Sequence, residues 1–227
     1  MYDVRVKVSS MEKYALEYEK DVIQEGLIMF YGDSAFTRWN EKYDASNMEE
    51  DIRNKDGSLA VVNHGFGGST AEHLLYYYER LVKPWKPKAL VINIFCNDGD
   101  KAYSPEEMMA LLTRLMEWAR NDIPGIKFYL CEARPIQDGI EGRVIRNIQW
   151  HNMQLEFNEL ANRYAAKHND CKVVSYINSP LFYENPEDVG DYYKIRTDTF
   201  VEDKVHLNRF GYELFAEFWR QQLDDIL

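Results

Sequence analysis

Short apolar runs alternate with longer amphipathic stretches along most of this chain, the pattern of buried parallel strands joined by covering helices. The first run, Leu27 to Tyr31 (LIMFY), is continuously apolar, as a strand buried on both faces should be, and stops at Gly32. A second strand is predicted over Leu59 to Asn63. The turn HGFGG follows it, and Ser69 is read as the N-cap of the helix TAEHLLYYYERLVKPW, closed by Lys83 and Pro84. The third strand, Ala89 to Phe95, ends in CNDGD. Ser104, Pro105, Glu106 and Glu107 then open a helix that runs to about Asn121, with a cap, a proline in the first turn and acids that suit the dipole. Strand four is Lys127 to Glu132. After the loop ARPIQDGIEG, a helix from about Val144 to Lys167 leads to strand five, Lys172 to Tyr176. An irregular excursion, Pro180 to Phe200, precedes a closing helix whose apolar spacing runs from Tyr212 to Leu223. YALEYEKDV, near the N-terminus, is read as one more helix packed on the outside.

No tract rich in Gly, Pro or Ser divides the chain and no repeat is visible, so residues 1–227 are expected to form a single α/β domain. Each predicted strand enters a loop at its carboxyl end, where open parallel sheets hold their ligand crevice.

Composition narrows the partners. With 45% hydrophobic and 14% aromatic residues there is material for a sizeable core. The net charge of -11, from 38 acidic against 27 basic residues with no Lys/Arg block, argues against nucleic acid and favours small neutral or singly charged substrates. Cys96, Cys131 and Cys171 sit in or beside apolar runs without CxxC spacing and read as buried thiols. No segment has the length of a membrane span, and the first residues lack the apolar stretch of a signal peptide, so a cytoplasmic protein without membrane contact is expected. Oligomeric state is left open.

Four loops at the predicted carboxyl edge carry the candidate chemistry: YGDSAFTRW, HGFGGS, CNDGD and DKVHLN. A serine hydroxyl is a weak nucleophile that needs a base to take its proton, and Ser34 follows the first strand in a tight turn that would expose it. His206, three residues after Asp203, has the spacing for an imidazole whose tautomer an acid fixes. Gly68 lets backbone approach a substrate closely, and the Asn97 amide can donate to a developing oxyanion. Each motif has a plainer reading. Asp33 or Ser34 could cap a helix, Gly68 could be an ordinary turn glycine, Asn97–Asp98 a turn pair, and Asp203-Lys-Val-His206 a surface acid near a helix start.

Their conjunction in this order resembles the SGNH (GDSL-like) hydrolase superfamily, in which the name-giving residues fall here on Ser34, Gly68, Asn97 and His206. The resemblance spans Gly32 to His206. It implies a three-layer α/β/α sandwich around a five-stranded parallel, flavodoxin-like sheet, and a serine esterase that needs no metal or organic cofactor. Ser34 would be the nucleophile, His206 the base and Asp203 its partner. The Ser34 and Gly68 backbone N–H groups with the Asn97 side chain would form the oxyanion hole. Two departures stand out: Phe95 replaces a glycine two residues before Asn97, and Ala35-Phe36 replaces the usual Leu or Ile.

The substrate is expected to be a small carboxylic ester, with short acyl groups such as acetyl on a sugar or small alcohol implied by the resemblance. Thioester or acyl-transfer chemistry, and a non-catalytic carbohydrate-binding module on the same fold, are the alternatives. Around the site, Asp33, Arg38, His64, Arg134 and Tyr183 are candidates for substrate contact. The arginines could hold a carboxylate or polar head group, with structural salt bridges as their plainer reading. Tyr183, with Tyr192, Tyr193 and Phe200, could form a wall or lid. His73, His151 and His168 lie on predicted helices without metal-ligand spacing.

Overall fold

The structure, a computed structural model, describes residues 5–134 and 148–227. Five strands form one parallel sheet: β1 (Ile28–Gly32), β2 (Val61–Asn63), β3 (Ala89–Asn93), β4 (Lys127–Cys131) and β5 (Cys171–Val174). Their order, β2-β1-β3-β4-β5, reverses direction of growth between β1 and β3. That is the switch point at which doubly wound sheets open a crevice. The expected α/β/α architecture with a flavodoxin-like sheet is the one observed.

Alternate residues of each strand face opposite layers. Met29, Tyr31, Leu90, Ile92, Phe128 and Leu130 pack against α1 (Glu12–Tyr18), α4 (Ala71–Leu81), α6 (Pro105–Asp122) and α7 (Ile148–Ala165). Ile28, Phe30, Ala89, Val91, Tyr129 and Val174 face the short α2 (Ser34–Thr37) and α3 (Met48–Asp51) and the closing α8 (Arg209–Leu223). Phe215, Phe218 and Trp219 of α8 are fully buried on that second face, each such side chain contributing about 1.5–3 kcal/mol over an exposed one.

The strands are shorter than the apolar runs that announce them. Leu59 lies before β2 and instead bridges Arg53 in antiparallel fashion. Ile94 and Phe95 leave the sheet after β3 yet stay buried, Phe95 at the start of α5 (Cys96–Asp100). The cap of α4 is Thr70, not Ser69: Thr70 and His73 bond reciprocally, and the Ser69 hydroxyl donates to the Gly32 carbonyl at 3.1 Å. Of the expected 144–167 helix, residues 144–147 lie outside the described residues, as does most of the loop before it.

Register places the site. Ile28 pairs with Ala89 and Gly32 with Asn93, so β1 and β3 end side by side and deliver their following loops to one spot. Gly32 is required there: a Cβ would stand 2.5 Å from the Asn93 carbonyl oxygen.

Candidate active site

The turn after β1 is fixed from below. Asp33 caps α2 by accepting from the Ala35 N–H at 2.9 Å, and the same Oδ1 accepts from Asn93 Nδ2 at 2.9 Å. Burial raises the Asp33 pKa against those hydrogen bonds and the charge of Arg134. Ser34 then begins α2 with its hydroxyl turned away from the sheet. Its Oγ lies 2.8 Å from His206 Nε2, and His206 Nδ1 lies 2.6 Å from Asp203 Oδ2.

Asp203 and His206 stand on the loop before α8. Asp203 Oδ1 accepts from the backbone N–H groups of Val205 and His206, both at 2.9 Å, closing a tight turn around Lys204. Asn208 caps α8 by accepting from Gly211 N at 2.9 Å, which ends the loop two residues beyond His206. Burial would raise the Asp203 carboxyl, but the two backbone N–H bonds and the His206 contact outweigh it and bring the pKa down to about 2. The His206 pKa is lowered, first by desolvation and further by the charges of Arg38 and Arg134, against the pull of Asp203. The arrangement holds a neutral imidazole, anchored at Nδ1 by an ionised acid, against a serine hydroxyl.

The second and third loops close around the same hydroxyl. A Cβ on Gly67 would lie 3.6 Å from the Ser34 Cβ, so this turn runs directly past the serine. Gly68 has a φ of +83°, a conformation that favours glycine. Among the described residues, the backbone N–H groups of Ser34 and Gly68 donate to no protein acceptor. Asn97 Nδ2 donates to the Ser69 carbonyl at 2.9 Å, which fixes the amide and leaves its second N–H. Phe95 carries the positive φ, +131°, that a glycine would adopt without cost. Its ring is fully buried against Trp150 and Phe157, with centroids at 5.2 and 5.5 Å, and that packing offsets the strain.

A cavity of about 420 Å³ opens here, lined by Ser34, Gly68, Asn97, Asp203 and His206 and also by Arg38 and Arg134. Arg38 Nη1 is 3.3 Å from Asp203 Oδ2, and Arg134 Nη2 donates to the Val205 carbonyl at 2.8 Å. Asp33 lies at the base with its carboxyl already engaged. Two other candidates are not brought in. His64 is fully buried behind the second loop, its Nδ1 on the Leu81 carbonyl at 3.0 Å and its ring between Tyr18 and Trp85; burial lowers its pKa to about 4. The Tyr183 hydroxyl donates to the Ile177 carbonyl at 2.9 Å in a separate apolar cluster. Tyr192 packs edge-on and Tyr193 tilted against His151, and Phe200 lines a different, smaller cavity, so none of the excursion's aromatics lines the cavity of the serine.

Sequence reasoning missed four contributors. Tyr14 of α1 and Tyr43 line the cavity without any motif to announce them, and Cys96, read as buried, is half-exposed in its wall. The fourth is Asp98, read only as a possible turn partner of Asn97. It is fully buried, and its carboxylate accepts from Ala71 N at 2.7 Å and Phe95 N at 3.3 Å, joining the second loop to the third. Burial pushes its pKa up to about 7.

Among the described residues, no group of three or more His, Cys, Asp or Glu side chains is placed to hold a metal ion, and no helix is long and apolar enough to cross a membrane.

The sequence profile of the GDSL-like Lipase/Acylhydrolase family matches residues 30–214. No curated protein matches the chain. Solved structures that share the fold include a GDSL-like lipase from Bacteroides thetaiotaomicron, 20% identical over 97% of this chain and 100% of that one, with a TM-score of 0.70. A lipase/acylhydrolase from Enterococcus faecalis is 18% identical over 88% and 96%, with a TM-score of 0.68. A mutant of an acetyl-xylooligosaccharide esterase from Geobacillus stearmophilus is 17% identical over 89% and 95%, with a TM-score of 0.63.

Proposed function

We propose, since the chain belongs to the GDSL-like Lipase/Acylhydrolase family, that it is a serine esterase cleaving a small carboxylic ester through an acyl-serine intermediate. The observation that carries this reading is the continuous path Ser34 Oγ, His206 Nε2, His206 Nδ1, Asp203 Oδ2, with contacts of 2.8 and 2.6 Å at the edge of an open cavity.

In the proposed reaction Ser34 Oγ attacks the acyl carbon while His206 Nε2 takes its proton. Asp203, ionised throughout, keeps the Nδ1–H tautomer and stabilises the imidazolium. The negative charge that develops on the carbonyl oxygen is met by the Ser34 and Gly68 backbone N–H groups and the Asn97 amide, each such donor being worth about 3–4 kcal/mol. His206 returns the proton to the departing alcohol oxygen. A water then gives its proton to His206 and attacks the acyl carbon, and His206 passes that proton to Ser34 Oγ as the acyl–oxygen bond breaks and the carboxylic acid leaves. The proposed acyl group is short; acetyl on a carbohydrate is the ester for which the Geobacillus relative is named.

Incubation with a fluorophosphonate probe tests the assignment. Ser34 should be the labelled residue, and p-nitrophenyl acetate should be turned over. Folded protein that neither labels at Ser34 nor hydrolyses the ester would rule the reading out.

A further inference from the structure

The two arginines of the cavity differ in one respect. Arg38 is neutralised: its guanidinium lies 3.3 Å from the Asp203 carboxylate and over the Tyr43 ring. Arg134 is not. One nitrogen, Nη2, donates to a neutral backbone carbonyl, and Nη1 is buried with no hydrogen-bond partner among the described residues. Asp33 lies near enough for Arg134 to favour its ionisation, yet the two form no ion pair, and the Asp33 Oδ1 is taken by Ala35 N and Asn93 Nδ2. A half-buried cation that has no ion-pair partner among the described residues is costly to keep. This one lines the same cavity as Ser34 and His206 in a chain whose net charge is -11.

We infer that the ester taken by this site carries a carboxylate on its acyl or its alcohol half, and that Arg134 is the residue that holds it. The guanidinium keeps N–H donors that meet no acceptor among the described residues, and a planar guanidinium can bind a carboxylate through two parallel bonds, which a lysine could not reproduce. The anion would supply the charge that Arg134 lacks and orient the acyl carbon over Ser34. Arg134 also braces the loop of His206 through Val205, so a bound carboxylate and the base would share one anchor.

This inference rests on the esterase reading, and one experiment separates the two. Two pairs of esters are compared, each a free carboxylate and its neutral methyl ester: 4-acetoxybenzoate for the alcohol half, and mono-4-nitrophenyl glutarate for the acyl half, with every rate normalised to spontaneous hydrolysis. In one pair kcat/KM should favour the charged member by about ten- to a hundredfold, the span of a charge-assisted hydrogen bond, mostly through KM. The favoured pair identifies the half that bears the charge. Arg134→Gln should bring that ratio close to one, and Arg134→Lys should restore part of it. Neutral members hydrolysed as well as charged ones in both pairs would overturn the inference and leave the esterase reading standing. An equal loss on both members in Arg134→Gln would also overturn it, reducing Arg134 to a brace for Val205. Folded protein inactive on all four esters would overturn both.

Discussion

The proposed nucleophile, Ser34, and the proposed base, His206, sit on two differently built halves of the cavity. The half after β1, β2 and β3 is cross-tied by polar groups that are buried except for Asn97, which faces the cavity: Ser69 is bonded to Gly32, Asn93 to Asp33, Asp98 to Ala71 and Phe95, and Asn97 to Ser69. The half before α8 is a surface loop. The Asp203 side chain is 41% exposed, and the loop is shaped by its own turn, by the Phe200–Leu207 bridge and by Arg38 and Arg134 reaching across. The contrast fits what the proposed reaction asks of each half. Oxyanion donors help only if they are already aimed when charge appears, which demands a rigid frame. A base must swing a proton between two oxygens and tolerates a softer mount.

The comparison predicts that chemistry and stability separate on the loop and travel together in the frame. Ser34→Ala and His206→Ala should each lower p-nitrophenyl acetate turnover by about a millionfold, as loss of either member of such a couple does. Asp203→Asn should cost about ten-thousandfold through the wrong tautomer. Thermal unfolding of the two loop variants should hardly move, because both side chains border the open cavity. A large fall in Tm for His206→Ala would break the distinction. Asn97→Ala should follow, with kcat down about a hundred- to a thousandfold and KM little changed.

Asp98 tests the frame. Asp98→Ala leaves two buried N–H groups without an acceptor, a penalty of about 1–3 kcal/mol each, so Tm should fall. Turnover of the still-folded fraction should fall too, because Asn97 is adjacent. The sign of the pH effect is specific. With a folded pKa of about 7, above the usual carboxyl value, Asp98 contributes stability that is complete below about pH 4 and is lost as pH rises through 7. Asp98→Asn should therefore flatten the stability profile between those limits, as chemical denaturation across pH would reveal.

Much of this was legible in the chain. Continuous apolar runs located all five strands, because a strand buried on both faces has no polar alternation to hide it, and the four polar loops at their ends gave the candidate residues their order. Strand ends were not legible: Ile94 and Phe95 are as apolar as Ile92, and hydrophobicity does not distinguish a strand from a buried loop. Nor was the direction of a side chain. His64 precedes the glycine turn but points under it, and Tyr183 turns into its own cluster. Ser69 and Thr70 are equally good caps on composition, and only the bond from Ser69 to Gly32 decides between them. Asp98 was hidden by its neighbour, since an acid beside an asparagine has the composition of any turn.

The smallest expected effect is a shift along the pH axis, and it probes how the loop half is tuned. His206 must be neutral to accept the serine proton, so kcat/KM should fall on the acid side as the imidazole protonates. Desolvation and the neighbouring charges of Arg38 and Arg134 lower its pKa, so that limb should lie below the usual imidazole value. Arg38 Nη1 shares the Asp203 Oδ2 with the imidazole, at 3.3 Å against 2.6 Å, and opposes a second positive charge on the ring. Arg38→Met removes that opposition and frees the carboxylate to favour the imidazolium; both changes raise the His206 pKa, and the acid limb should move upward. The plateau should change far less than in Asp203→Asn, since Asp203 keeps its bonds from Val205 and His206 without the arginine. A pH–rate profile on a neutral ester, which needs no counter-charge from the protein, reads this directly. A limb that stays in place would mean that burial alone sets the base, and that the arginines around it serve the substrate rather than the histidine.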